Sequence, residues 1–210
     1  MSKRDDNTKI FNNMLKSIKK LALIAVLLTA FSTSGKAQVV GLKTNLLYDA
    51  TATVNLGLEV GLAPRWSLDL SGNFNSWKAY NDQLWKQWML QPEARYWFCD
   101  QFAGHFLGFH ALGGQYNIGH LRHTVDFLGN DFSRLNDYRA QGWAVGAGIA
   151  YGYTWVLGKH WNLEAELGVG YIRTWYDMYE CKECGKKVES DQTHNYVGPT
   201  KVAINLVYVF

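Results

Sequence analysis

The chain ends in Val202-Ala203-Ile204-Asn205-Leu206-Val207-Tyr208-Val209-Phe210, and these nine residues are the strongest indication of the fold. One face of this stretch is wholly apolar, with Val202, Ile204, Leu206, Tyr208 and Phe210. The other face begins with Lys201, Ala203 and Asn205. Alternation with a period of two residues is typical of a β-strand that has different surroundings on its two faces. A strand that runs uncapped to the carboxyl terminus leaves backbone groups unpaired, so the sequence predicts a neighbouring strand for it.

Seven further segments alternate in the same way, each with a large apolar face opposite a face of small or polar residues. The clearest is 142–155, in which large apolar residues from Trp143 to Trp155 alternate with Gly, Ala and Thr. In the fifth segment Leu112 and Tyr116 fall on the polar face, which is compatible with a β-bulge. The seven segments lie at 42–49, 54–62, 66–75, 90–98, 107–116, 142–155 and 161–171.

Eight alternating strands predict a closed barrel, and alternation alone leaves its orientation open. A secreted, ligand-binding soluble barrel would place the apolar face inside, whereas a membrane barrel would place it outside. Lipid outside is favoured because several segments reach the ~9–11 residues that a tilted membrane strand needs. Aromatic residues also gather near the strand ends, and the Gly-rich face of 142–155 suits a compact lumen better than a solvated exterior.

The connections between the segments support the same fold. Short turns are predicted near 61–65, 99–104 and 157–160, and longer links near 77–87, 119–141 and 176–196; the short link at 50–53 departs from this order. Short turns on one side and longer loops on the other are typical of outer-membrane barrels. Tryptophans should then form two interfacial girdles, with Trp66, Trp97 and Trp161 in one and Trp77, Trp88, Trp143 and Trp175 in the other.

The amino-terminal residues predict export. Lys16, Lys19 and Lys20 precede an apolar run from Leu21 to Phe31, and small residues follow up to Ala37. This is the pattern of a cleaved signal peptide over 1–37, followed by a barrel domain over 38–210. A membrane anchor is less favoured because the run has about half of the ~20 residues that a spanning helix needs.

The charge balance argues against nucleic acid as a partner. Residues 1–37 carry seven of the 21 basic residues and two of the 18 acidic ones, so residues 38–210 have a formal net charge of −2. A nucleic-acid-binding domain is normally basic, with Lys and Arg clustered on one face.

The polar faces of the strands carry charged residues that a narrow barrel would enclose. Isolated buried charges are too costly, so these groups are expected to pair in an interior ion network. The alternative gives Glu164 or Glu93 a general acid or base role. The network is predicted to contain Lys43, Glu59, Asp69, Glu93, Arg95, Glu164, Glu166 and Lys201.

Cys181 and Cys184 form a Cys-x-x-Cys pair in the last predicted outer loop. Outside the cytosol a local disulfide is the favoured interpretation. The alternatives are redox chemistry or a zinc site completed by His194 and by Asp191 or Asp177. Cys99 is predicted to lie at the other end of the barrel as a free thiol.

The loop near 119–141 allows a lipid-modifying hydrolase or acyltransferase as an alternative function. His110, His123, Asp126 and Ser133 have the residue types for such a site at the outer rim. Their spacing matches no catalytic motif, and solvated loop residues explain them equally well. We therefore predict no catalytic residues, no metal and no cofactor.

The last strand also carries a sorting signal. A terminal aromatic after alternating apolar residues is how outer-membrane barrels end, so Leu206, Tyr208 and Phe210 are expected to be recognised by the barrel-assembly machinery.

Several motifs make the chain resemble a family of Bacteroidota outer-membrane proteins known as domain of unknown function 3575 (DUF3575). They are Lys43-Thr44-Asn45-Leu46-Leu47-Tyr48-Asp49, Asn55-Leu56-Gly57-Leu58-Glu59, Gln91-Pro92-Glu93-Ala94-Arg95-Tyr96-Trp97, and residues 104–116. Members occur beside fimbrial and adhesin genes, so the resemblance implies a role at the cell surface or in fimbria assembly. It implies no catalytic residues.

The sequence therefore predicts an all-β, eight-stranded antiparallel up-and-down barrel that crosses the outer membrane. Its predicted role is structural or interactive, with outer-membrane lipids, the assembly machinery and fimbrial or adhesin proteins as partners. A lipid-modifying enzyme is the second hypothesis, and a soluble small-molecule-binding barrel is the third.

Overall fold

The computed structural model describes residues 39–76, 84–119, 138–180 and 185–210. The predicted signal peptide and its cleavage position lie outside these residues. The described chain forms one short helix, α1 (Leu46–Ala50), and eight strands. The strands are β1 (Val40–Asn45), β2 (Val54–Ala63), β3 (Trp66–Asn75), β4 (Leu84–Trp97), β5 (Gly104–Gly119), β6 (Arg139–Val156), β7 (Trp161–Tyr179) and β8 (Lys187–Val209).

Each strand pairs antiparallel with the next one along the chain, and β8 returns to pair with β1, so the sheet closes into a barrel. The prediction of eight antiparallel up-and-down strands is confirmed. The carboxyl-terminal strand has the partners that its backbone requires, with β7 on one side and β1 on the other. Its last amide, on Phe210, donates to the carbonyl of Val40 at 2.9 Å.

The two faces of the strands have opposite surroundings. Apolar side chains such as Leu58, Phe109 and Ile149 point outward and are exposed, whereas Glu59, Arg95 and other charged residues point into the barrel. The apolar face of each alternating strand therefore lies on the outside of the barrel. Within the described residues, no helix is long and apolar enough to cross a bilayer.

The first strand is shorter than the sequence predicted. The alternation over 42–49 suggested one strand, but β1 ends at Asn45 and α1 follows. Asn45 caps the helix, since its side chain accepts a hydrogen bond from the Leu47 amide at 3.1 Å. Asp49 then accepts hydrogen bonds from the side chains of Thr44 at 2.8 Å and Asn55 at 2.7 Å. These local polar contacts outweigh the apolar alternation.

The strands on the other side of the barrel are longer than predicted. Residues 176–196 were expected to be a loop, but β7 continues to Tyr179 and β8 begins at Lys187. The pairing register of β7 and β8 shifts between Gly168 and Val169, opposite Pro199. Proline cannot donate to the ladder and is tolerated at such a bulge. The shift interrupts the alternation along β8, which hid this part of the strand in the sequence.

The bulge considered for β5 is absent, because the register of β5 is uniform against both β4 and β6. Leu112 and Tyr116 instead line the interior of the barrel. Apolar side chains on the inward face therefore reflect an apolar region inside the barrel.

Candidate functional site

An aromatic floor, formed by Trp97, Phe102 and Phe106, closes the end of the barrel at which β1 begins and β8 ends. The turn after β4 places Phe102 under the barrel, where its ring stacks on Trp97 at a centroid distance of 5.9 Å. Trp97 also packs on Phe106 at 4.8 Å and donates its indole N–H to Ser67 Oγ at 2.8 Å. Trp97 is fully buried, so its predicted place in an exterior girdle is wrong. It lies on the inward face of β4 together with Glu93 and Arg95.

Hydrogen bonds hold the turn beneath the barrel. The Phe102 carbonyl accepts from Asn162 Nδ2 at 2.8 Å, and Gln101 Nε2 donates to the carbonyls of Ala63 and Trp66. Phe102 itself has a φ of 60°, a left-handed conformation that is unfavourable for a bulky residue. The burial of its ring and these hydrogen bonds compensate for that cost.

Arg95 is the centre of the ion network in the middle of the barrel. Its side chain has no exposed area, and it donates to four carboxylates on three strands, β2, β4 and β7. The guanidinium donates to Glu93 at 2.6 Å, to Glu164 and Glu166 at 2.8 Å, and to Glu59 at 2.9 Å. It also lies over the Phe106 ring at 4.4 Å, so the network rests on the aromatic floor. Arginine suits this role because its planar fork donates in several directions at once.

Two lysines complete the network. Lys43 Nζ lies 2.5 Å from Glu59, 3.5 Å from Asp69 and 3.6 Å from Glu164. Lys201 Nζ lies 2.7 Å from Glu93 and 3.1 Å from Glu166. The structure thus brings together all eight residues that were singled out from the polar faces of the strands, and all eight are buried.

Neutral residues on the same inward faces donate further hydrogen bonds to two of the carboxylates, Glu59 and Glu164. Ser67 Oγ donates to Glu59, and Glu164 accepts from Asn205 Nδ2 at 2.7 Å and from Thr154 Oγ1 at 3.3 Å. The sequence analysis did not assign these three donors to the network, although their parity along the strands matches that of the charged residues. The carboxylates of Glu93 and Glu164 are paired with cations above a closed floor, and this arrangement suits a structural plug better than acid or base catalysis.

The residues considered for a rim hydrolase are not assembled at the rim in the described part of the chain. His110 is buried inside the barrel, and its Nε2 lies 2.8 Å from Thr200 Oγ1. Gly148 and Gly168 let the strands approach its ring closely. His123, Asp126 and Ser133 lie outside the described residues.

Cys181 and Cys184 lie outside the described residues, so the loop disulfide stays a prediction. Asp177 pairs with Lys187 at 2.7 Å and accepts a hydrogen bond from the Asp191 amide at 3.1 Å, and these two contacts lower the pKa of Asp177. Over the described ranges, no group of three or more His, Cys, Asp or Glu side chains is arranged to hold a metal ion. Cys99 is exposed and has a free thiol.

Two cavities lie inside the barrel above the ion network. A small polar one of about 60 Å³ is bounded by Lys43, Asp69 and Lys201 together with Asn, Ser and Gln side chains of β1 to β4 and β8. A larger one of about 420 Å³ lies between β4, β5, β6, β7 and β8, and most of its lining is apolar.

The exterior carries an apolar belt, which we define by the outward side chains of the eight strands. The belt includes Leu42, Leu56, Leu58, Leu68, Leu70, Leu90, Phe109, Val145, Ile149, Leu167, Val169, Val202 and Ile204, all of them exposed. Aromatic clusters border it at both ends. The cluster at the end where β8 finishes contains Trp66, Tyr96, Trp161 and Tyr208. Towards the other end, Trp143 stacks on Trp175 at a centroid distance of 4.3 Å.

A model of the family described as "Protein of unknown function (DUF3575)" matches residues 23–210, nearly the whole chain. The chain belongs to the DUF3575 family. The resemblance drawn from the sequence motifs is thereby confirmed. No curated protein and no solved structure matches the chain. The motifs that carry the resemblance place Lys43, Glu59, Glu93 and Arg95 in the buried ion network of this DUF3575 protein.

Gly152 tests the close packing of the aromatic floor. A Cβ at this position would lie 2.2 Å from Phe106 Cζ, whereas Gly158 has no atom within 4 Å of such a Cβ. We expect Gly152→Ala to lower the free energy of unfolding of the DUF3575 barrel by about 1–3 kcal/mol, because the packed ring must shift.

Denaturant unfolding of the two alanine variants in detergent micelles measures this difference. Gly158→Ala is the matched control and should change stability by less than about 0.5 kcal/mol. Equal stability of the two variants would show that the floor packs loosely around Phe106.

Proposed function

We propose that this DUF3575 protein is a small barrel that spans the bacterial outer membrane and has a structural or surface-interaction role. The observation that carries the proposal is the apolar belt around a charged interior. Soluble proteins rarely expose apolar patches larger than a few hundred Å². A water-soluble barrel would place its apolar faces inside, where this barrel encloses Arg95 and its carboxylate partners.

The height of the apolar belt matches the thickness of a bilayer's hydrocarbon core, which supports a membrane location. On β6, Trp143 and Trp155 mark the two ends of the apolar face, twelve residues apart. At roughly 3.3 Å per residue and a tilt of ~45°, they are separated by about 28 Å along the membrane normal. That distance is close to the ~30 Å thickness of a bilayer's hydrocarbon core. The aromatic clusters at both ends correspond to the interfacial girdles of membrane barrels.

The proposal includes export through a signal peptide over residues 1–37 and assembly guided by Leu206, Tyr208 and Phe210. Phe210 suits a recognition signal because its side chain is 71% exposed and contacts the folded barrel chiefly through Tyr208, at a ring distance of 5.0 Å. The chain termini and the short turns would face the periplasm, and the longer ends of β5 to β8 would face the outside.

We predict that Phe210→Ala will reduce the amount of folded protein in the outer membrane of producing cells at least severalfold. Refolding of the purified variant into detergent should be unchanged, because the exposed ring contributes little to the folded state. Heat-modifiable migration on gels reports folding in both settings.

Phe74→Ala is the matched control, since Phe74 is an outward, exposed phenylalanine at the opposite end of the barrel. Equal outer-membrane levels of the two variants would show that Phe210 is not part of the assembly signal.

The part of the barrel that extends past the belt is suited to contacts with other surface proteins. From Lys187 to Asn195, β8 is mostly exposed and polar, and it pairs with the end of β7. Because its backbone is paired with β7, this extension holds its side chains in more fixed positions than an unpaired loop would. A fimbrial or adhesin protein is the partner class that we propose for it.

The ion network and the aromatic floor support a role other than that of a general porin. A conducting barrel needs a continuous aqueous channel. Here the middle of the lumen is occupied by paired charged side chains, and the end below them is occupied by Trp97, Phe102 and Phe106.

A photo-cross-linking amino acid placed at Gln192 tests the surface role on intact cells. We expect it to capture a specific surface protein that mass spectrometry can identify. The same residue at Arg65, in the turn between β2 and β3, is the control and should not capture that protein. Adducts that are identical at the two positions, or that contain only the barrel, would contradict the interaction proposal.

A further inference from the structure

The cavity of about 420 Å³ has a lining that differs from the rest of the interior. We call it the apolar chamber. Among the described residues that line it, none carries a formal charge, in contrast to the ion network below it. Its apolar surface comes from Met89, Leu112, Ile118, Ala144, Ile172 and Met178. Its volume lies within the ~300–1,000 Å³ that is typical of small-molecule sites.

The sequence explains why this space is open. The inward face of β6 carries only Ala140, Gly142 and Ala144 at this level, so it contributes almost no side-chain volume. The neighbouring strands β5 and β7 contribute Leu112 and Ile172. Small residues on β6 between large apolar ones on its neighbours leave a space with apolar walls.

Water is a poor occupant of such walls, because an ordered buried water needs two to four polar partners. Most of the lining surface is apolar, and the polar side chains in it are Gln87, Gln115, Tyr116, Thr174, Tyr176, His194 and Tyr196. His194 pairs with Thr174 across β7 and β8 and is exposed, which places it where the chamber meets solvent. The chamber is therefore apolar inside and polar at its mouth.

We propose that the apolar chamber binds the hydrocarbon chain of an amphiphile, with the polar head at the mouth near Thr174 and His194. If each methylene takes roughly the ~30 Å³ of one water in the liquid, the chamber of about 420 Å³ holds about 14 of them. The chain comes either from a free fatty acid or from a lipid of the surrounding bilayer. This inference goes beyond the proposed function, since it concerns the inside of the barrel.

The methionines provide a direct probe. Met89 on β4 and Met178 on β7 both line the chamber, and they are two of the four methionines in the chain. We would reconstitute the full chain with ¹³C-methyl methionine into phospholipid nanodiscs and titrate dodecanoate. Met89→Leu and Met178→Leu assign the two signals.

Both methyl signals should shift saturably with dodecanoate if a free fatty acid is the source. If the chain comes from a bilayer lipid, both methyls should instead show cross-peaks to lipid chains without dodecanoate, and chain-deuterated lipid should abolish them. Lipid outside the barrel cannot produce these contacts, because both methionines face inward. Absence of both effects would overturn the proposal.

Ala144→Phe fills the chamber and should abolish whichever effect the unmodified protein shows. Ala147→Phe places the same side chain on the outward face of β6 and should leave the effect intact. A persistent effect in Ala144→Phe would place the ligand elsewhere and overturn the proposal. If that variant does not fold, the titration of the unmodified protein still decides. Failure to enter nanodiscs would instead count against the membrane proposal.

Discussion

Replacing Arg95 with Ala should destabilise the barrel by about 3–5 kcal/mol, the usual cost of removing one partner of a buried ion pair. Without Arg95, the two lysines would face the five carboxylates of Glu59, Asp69, Glu93, Glu164 and Glu166 in a buried space. A loss of this size is a large fraction of the ~5–15 kcal/mol that stabilises a typical domain. Denaturant unfolding in detergent micelles measures it.

Two controls isolate the electrostatic part of this effect. Arg173→Ala removes an arginine whose guanidinium lies over the Trp175 ring at 5.2 Å, and it should cost less than about 1 kcal/mol. Lowering the pH should partly restore the stability of the Arg95→Ala variant, because protonated carboxyls no longer repel one another. Unchanged stability of Arg95→Ala at neutral pH would show that the ion network does not hold the strands together.

Replacing Ile149 with Arg should destabilise the barrel in a bilayer by about 2–4 kcal/mol, the cost of a lipid-facing arginine near the membrane midplane. Ile149 is 55% exposed and lies midway between Trp143 and Trp155 on the outward face of β6. In a water-soluble protein, the same substitution on an exposed residue would be nearly neutral.

Val156→Arg is the control, because Val156 is 60% exposed at the end of the same strand, beyond the span from Trp143 to Trp155. Near the interface, the cost of arginine falls to about 0–1 kcal/mol. Both variants should be compared by denaturant unfolding from phospholipid vesicles. Equal losses of stability at the two positions would contradict a location of Ile149 near the middle of the bilayer.

The strand count, the pairing order and the charged cluster were predictable because each depends on a period of two residues. Glu164 and Glu166 on β7 share parity, and so do Glu93 and Arg95 on β4, which is why residues far apart in sequence meet inside the barrel. Closing the sheet converts parity along each strand into a position inside or outside.

Two features that the sequence analysis missed have different causes. The helix α1 begins where Asn45 caps Leu47, although the apolar alternation continues through Tyr48. Trp97 has the same parity as Glu93 and Arg95, so the alternation of β4 accounts for its burial, whereas its residue type alone favoured an exterior girdle. The apolar chamber was missed because the positions of Leu112 and Tyr116 on the polar face were attributed to a β-bulge.

Quenching of tryptophan fluorescence by brominated phospholipids tests the central claim, that the apolar belt is in contact with lipid. The full chain, refolded into vesicles, is compared across lipids brominated at different depths of the acyl chain. We predict strong quenching that is greatest for bromines near the headgroups, because Trp66, Trp143 and Trp161 lie at the ends of the belt. Protein that stays dissolved without detergent, with tryptophans that no brominated lipid quenches, would show that the apolar belt does not contact lipid.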